Sequence, residues 1–79
     1  MPTILRIGPF RFFFYSNELG EPAHIHVQSD NKTAKFWLEP VSLSKSVRFS
    51  SKELRELEKL VTSNKVVFME AWNEYFNRK

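Results

Sequence analysis

The segment Phe10-Arg11-Phe12-Phe13-Phe14-Tyr15 packs five aromatic rings into six residues, and it restricts the fold more than any other stretch of the chain. Rings of that size favour burial, and β-favourable residues in alternation make the stretch a strand. Period-two geometry sends Phe10, Phe12 and Phe14 to one side of a sheet, and Arg11, Phe13 and Tyr15 to the other. The first side is purely apolar and needs a cover. The second mixes a cation with rings, so what it meets is the functional question.

Neighbouring segments supply the rest of a sheet. Thr3 to Ile7 is a short strand closed by the turn signal Gly8-Pro9. Ser16 to Pro22 is a connecting loop, and Pro22 keeps Glu21 extended ahead of the next strand. Ala23 to Gln28 then points Ile25 and Val27 one way, and His24, His26 and Gln28 the other. Ser29-Asp30-Asn31-Lys32 forms a polar hairpin loop. The return strand, Thr33 to Glu39, alternates Ala34, Phe36 and Leu38 with Lys35, Trp37 and Glu39, and Pro40 ends or bends the pairing. Val41 to Arg48 fits two descriptions: an edge strand in which Val41 and Leu43 alternate with serines, or a turn leading to a helix.

The period then changes. Ser50-Ser51-Lys52-Glu53 has the form of a capping box, with Phe49 and Leu54 placed as a hydrophobic staple. Leu54, Leu57, Leu60 and Val61 follow at helical spacing. Thr62-Ser63-Asn64 interrupts the pattern, and Ser63 or Asn64 is placed to cap a second helix. That helix presents Phe68, Met69, Trp72, Tyr75 and Phe76. Strands and helices segregated along the chain make an α+β fold, and short loops favour antiparallel neighbours. The expected architecture is a three- to four-stranded antiparallel meander over about residues 3–43. Two C-terminal helices, about 51–62 and 65–77, pack on one face of it.

With 79 residues, the chain forms a single domain, 1–79, of a size that buries only about 60% of its unfolded surface. It has no cysteine, so disulfides and thiolate metal sites are excluded, and stability must come from the aromatic-rich core, a partner chain or a bound ligand. The opening residues do not resemble a secretory signal, and no apolar run approaches the roughly 18 residues of a membrane span. A soluble cytoplasmic protein is the expectation. A formal charge of +3 leans weakly toward nucleic acid or an acidic partner.

The sheet face bearing Arg11, Phe13, Tyr15, His24, His26, Lys35, Trp37 and Glu39 carries the functional candidates. Rings stack on nucleobases and cations answer phosphates, as on sheets that bind single-stranded RNA. The plainer account is that these rings are covered by the second helix or another subunit. His24 and His26 project together from one strand, which permits three roles. They are half of a metal site if a third ligand is supplied, and Glu18, Glu21, Glu39 and Glu74 are candidates without a telling spacing. They are acid and base for phosphodiester chemistry of a ribonuclease type, with Arg11 or Lys35 on the phosphate. Or they only pack and hydrogen-bond. The string His24-Ile25-His26-Val27-Gln28 superficially fits the histidine-triad nucleotidyl transferases. Those place the motif late in a larger domain, beside a phosphate-binding helix, and that match is set aside.

Several blocks in order resemble one family of small prokaryotic proteins. They are Met1 to Ile7, Arg11 to Asn17, Glu21 to Val27, Ala34 to Val41, and Glu70-Ala71-Trp72-Asn73-Glu74-Tyr75-Phe76. The chain resembles the domain-of-unknown-function family numbered 4160 over nearly its whole length. The resemblance implies a short stand-alone bacterial protein encoded beside a second small gene, similar to a toxin–antitoxin module, and hence a small cognate partner protein. It implies characteristic polar positions at His24 and His26, with Arg11, Tyr15, Asn17, Glu21 and Lys35 around them. Many relatives have Trp-His-Glu where this chain has Trp72-Asn73-Glu74. Asn is a poor metal ligand and does not titrate, so the departure weakens both the metal and the catalytic reading.

The expectation is therefore a component of a toxin–antitoxin-like module, an RNA-targeting toxin that uses its His-x-His sheet face. His24 and His26 handle protons, Arg11 and Lys35 hold phosphate, and Tyr15 or Trp37 stacks a base. No cofactor is expected. The alternative is a non-enzymatic module that docks a partner or a second copy of itself through the same face. Of binding and catalysis, binding is the safer inference.

Overall fold

The computed structural model describes residues 3–15 and 20–76. Five strands in chain order, β1 (Thr3–Ile7), β2 (Phe10–Phe13), β3 (His24–Ser29), β4 (Lys32–Leu38) and β5 (Val41–Val47), form one antiparallel meander in which each pairs with the next. Two helices follow, α1 (Ser51–Ser63) and α2 (Lys65–Phe76). The α+β class and the order of elements match the expectation. The strand number does not: the meander has five strands, and it extends to Val47 rather than ending near residue 43.

The extra strand escaped a simple alternation because it is bulged. Lys35 pairs with Lys45 and Phe36 with Leu43, leaving Ser44 as an inserted residue. Val41 and Leu43 therefore lie on the core side, opposite Leu38 and Phe36, whereas Lys45 and Val47 lie on the outer side, opposite Lys35 and Thr33. A second irregularity, between Thr3 and Leu5, does the same in β1. There Leu5 pairs with Phe12 on the core side, while Thr3 pairs with Phe13 on the outer side.

The tight turns follow local chemistry. Gly8-Pro9 is a two-residue connection, and Gly8 at φ +56° occupies the first loop position, where a positive φ is cheapest for glycine. Asp30, at φ 55°, opens the two-residue turn between β3 and β4. Arg48, at φ 71°, turns the chain out of β5 toward the helix, a conformation that costs a non-glycine residue of order 1 kcal/mol. Ser50 then caps α1: its hydroxyl accepts from the Glu53 N–H at 3.1 Å, and its own N–H donates to the Glu53 carboxylate at 2.9 Å. Asn64 ends α1 by donating from both backbone and side chain to the Leu60 carbonyl, and its own carbonyl accepts from Phe68 at 3.0 Å as α2 begins.

Both helices lie over the apolar face. Phe12, Phe14, Ile25, Val27, Ala34, Phe36 and Leu38 meet Leu57 and Val61 of α1, and Phe68 and Trp72 of α2, in one core that Phe49 closes. Phe12 stacks on Phe68 at 5.2 Å between ring centres, tying β2 to α2. Phe14 lies within 5.5 Å of the Trp72, Tyr75 and Phe76 rings. Among the described residues, no helix is long and apolar enough to cross a membrane.

Candidate functional site

Strand register orders the outer face into rows of neighbours. One row runs Arg6, Arg11, Gln28, Thr33, Val47 across β1 to β5, and the next runs Thr3, Phe13, His26, Lys35, Lys45. A third, shorter row holds His24, Trp37 and Ser42. Residues paired directly across antiparallel strands have Cβ atoms about 5 Å apart, so each row is a line of neighbouring side chains.

Aromatic groups occupy the centre. His26 stacks on Phe13 at 5.4 Å and meets the edge of Tyr15 at 4.8 Å. The Arg11 guanidinium lies over the outer side of Phe13, 4.4 Å from the ring centre. Phe13 is buried on this face, shielded by Arg11, His26 and Tyr15. The same guanidinium donates to the Thr3 hydroxyl and to the Gln28 side-chain oxygen, each at 2.9 Å. These contacts hold it flat against the sheet and leave N–H groups available, because arginine has five.

The two histidines have different surroundings. Their rings are 5.1 Å apart, so the strand does bring them together. His24, however, is completely buried, enclosed by Trp37 at 5.7 Å and Trp72 at 4.9 Å. Trp72, a core residue of α2, thus packs against the first histidine as well. His24 Nδ1 lies 2.8 Å from the Pro22 carbonyl oxygen, which can only accept, so Nδ1 carries the proton. Glu21 lies 3.7 Å from the same nitrogen. His26 is half-buried and lines a surface groove.

That groove, of about 290 Å³, runs along β4. Phe13, Tyr15 and His26 form one wall, Lys45, Ser46 and Val47 the other, and Thr33 and Lys35 lie between. Lys35 donates to Glu21 at 2.6 Å and sits over the Trp37 ring, 4.6 Å from its centre. Lys45 is exposed, and among the described residues no carboxylate pairs with it.

Arg11, Tyr15, Glu21, His24, His26, Lys35 and Trp37 thus converge on one surface or its immediate floor. Asn17 and Glu18 lie outside the described residues. Of the other carboxylates offered as metal ligands, Glu39 lies 4.0 Å from Lys65, and Glu74 lines a separate hollow with Phe14 and Tyr75. Among the described residues, no group of three or more His, Asp or Glu side chains is placed to hold a metal ion. Sequence alternation missed Lys45 and Arg6. Lys45 joins the face through the bulge at Ser44, and Arg6 through its pairing with Arg11. The serine-rich run around Ser44 hinted at an irregular strand, without indicating which way it would turn.

No curated protein and no solved structure matches the chain. One family model does, the Domain of unknown function (DUF4160), over residues 10–73, from the first residue of β2 into α2 and across the whole histidine strand. The chain belongs to that family.

Proposed function

We propose that this protein is the RNA-directed component of a toxin–antitoxin-like pair, and that it acts by holding single-stranded RNA across the outer face of its sheet. The observation that carries this reading is a pair of electrostatic conflicts. Arg6 lies directly opposite Arg11, and Lys35 directly opposite Lys45. Like charges directly opposite one another destabilise a sheet. Glu21 offsets Lys35, but an anion bridging each pair would relieve both conflicts. Between them lie Phe13 and His26, with Tyr15 packed against both, and Trp37 flanks Lys35 in the next row. About three strand spacings, roughly 14 Å, separate the two cation pairs. Four-stranded sheets that bind RNA hold two or three bases over a comparable width.

Binding is favoured over cleavage by the burial of His24. A metal-free phosphodiester cut requires an acid and a base that both reach the substrate. His26 borders the groove, while His24 lies under two tryptophans with its Nδ1 proton on Pro22.

The test is fluorescence anisotropy with a labelled single-stranded RNA at two salt concentrations. Single strands lose affinity with a slope of about −0.7 per neutralised phosphate, so about three contacts predict a loss of roughly twentyfold between 50 and 200 mM salt. Absence of binding at 50 mM salt, or binding without salt dependence, would sink the proposal. Expression in a host should arrest growth, and co-expression of the neighbouring gene should relieve the arrest.

A second reading has its own observation. β5 is an edge strand, and Leu43 and Val47 on it are 43% and 51% exposed. An edge of this kind accepts an added strand from a partner. If the neighbouring gene's product docks there, Leu43→Asp should abolish their co-purification and leave RNA affinity unchanged.

A further inference from the structure

The groove along β4 differs from the rest of the outer face in having walls of opposite chemistry a short distance apart. We infer that it is a pocket for a single nucleoside monophosphate unit. The base lies against Tyr15 and His26, the phosphate bridges Lys35 and Lys45, and Val47 closes the apolar end. The inference rests on the RNA reading above and specifies where one nucleotide of the strand is gripped. Tyr15 is 43% exposed and borders a volume of about 290 Å³, near the lower limit of ligand-pocket sizes. Base–aromatic stacking is tolerant of base identity, since every base presents a π-face.

Charge complementarity identifies the other half of the ligand. Lys45 stands opposite Lys35; the Lys35 ammonium lies 2.6 Å from Glu21, which does not line the groove, and among the described residues Lys45 is the groove cation with no carboxylate paired to it. A phosphate seated between the ammonium groups, singly charged as the diester of RNA and up to doubly charged in AMP, converts a repulsive cross-strand pair into a charge-assisted anion site. The bulge at Ser44 is what places Lys45 here, because an unbroken alternation would put it on the core side with Leu43. Bulges that re-aim a side chain are common beside active sites.

The experiment is calorimetric titration of the full chain with AMP, adenosine and inorganic phosphate separately, together with competition of AMP against the labelled RNA. AMP should bind and displace RNA, with adenosine and phosphate each at least about tenfold weaker, since each satisfies one wall. Lys45→Ala and Tyr15→Ala should each weaken AMP by about tenfold with an unchanged far-UV spectrum. Arg55→Ala, which removes the same charge from the exposed side of α1, should leave AMP binding unchanged. If RNA binds but AMP neither binds nor competes, or Lys45→Ala has no effect on AMP, the pocket is wrong while the sheet-face reading survives. If AMP binds and RNA does not, the pocket stands and the RNA reading falls. Phosphate binding as tight as AMP would remove the base from the inference, and no binding by any of the probes overturns both.

Discussion

His24 and His26 are two residues apart on one strand, yet their substitutions should have different consequences. His24 is fully buried between Trp37 and Trp72 and donates to the Pro22 carbonyl. Replacing it with alanine leaves a cavity and an unmet carbonyl, at a cost of about 2–4 kcal/mol by analogy with other buried truncations. His26 is half-buried on the groove wall, so His26→Ala should cost about 1 kcal/mol or less and act mainly on ligand affinity. Urea unfolding of both variants separates the roles, and a larger loss of stability in His26→Ala than in His24→Ala would contradict the assignment. The His-x-His spacing alone made the two equivalent. Trp72, far along the chain, breaks the equivalence.

At the scale of elements, α1 is held to the sheet by a polar joint as well as by its apolar stripe. Lys32 at the start of β4 donates to the Glu53 carboxylate at 2.7 Å, and Glu53 also accepts from the Ser50 N–H in the capping box. The hydrogen bond from Lys32, then that from Ser50, holds the Glu53 carboxyl below its ordinary value of 4.5. Because the unfolded chain restores the ordinary value, this contribution to stability is present in full above about pH 4.5 and disappears as pH falls through the lower folded value. Thermal unfolding followed down the acid limb should therefore show a loss that is smaller in Glu53→Gln. Ser50→Ala removes the cap's acceptor and should cost about 1 kcal/mol at neutral pH, read from the urea midpoint. The cap and helix start were legible from the spacing of Ser50 and Glu53, since a capping box is a local motif. The fate of Val41 to Val47 was not. A bulge is decided by which residues the partner strand offers, and β4 offers Phe36 to Leu43 and Lys35 to Lys45.

For the whole molecule, 79 residues imply a net stability of roughly 4–12 kcal/mol at 0.05–0.15 kcal/mol per residue. The Phe12–Phe68 stack joins the sheet's second strand to the last helix, and both side chains are completely buried. Phe68→Ala should cost about 3–5 kcal/mol, a large fraction of the total, and shift the urea midpoint accordingly. Val66→Ala, at a residue 68% exposed two positions earlier on the helix surface, should be near neutral. Equal midpoints for the two variants would mean that α2 does not contribute to the core as described.

The sequence by itself determined the α+β class, the placement of the first four strands and both helices, and the apolar inventory of the core. Those depend on alternation, helical spacing and capping, which are properties of short stretches. It also assembled most of the outer face, since Arg11, His26, Lys35 and Trp37 follow from period two once their strands are known. Only the tertiary structure decided which histidine faces the groove, because burial of His24 depends on Trp72. Only it showed that Lys45 and Arg6 join that face, because inter-strand register is a relation between segments that no single segment contains.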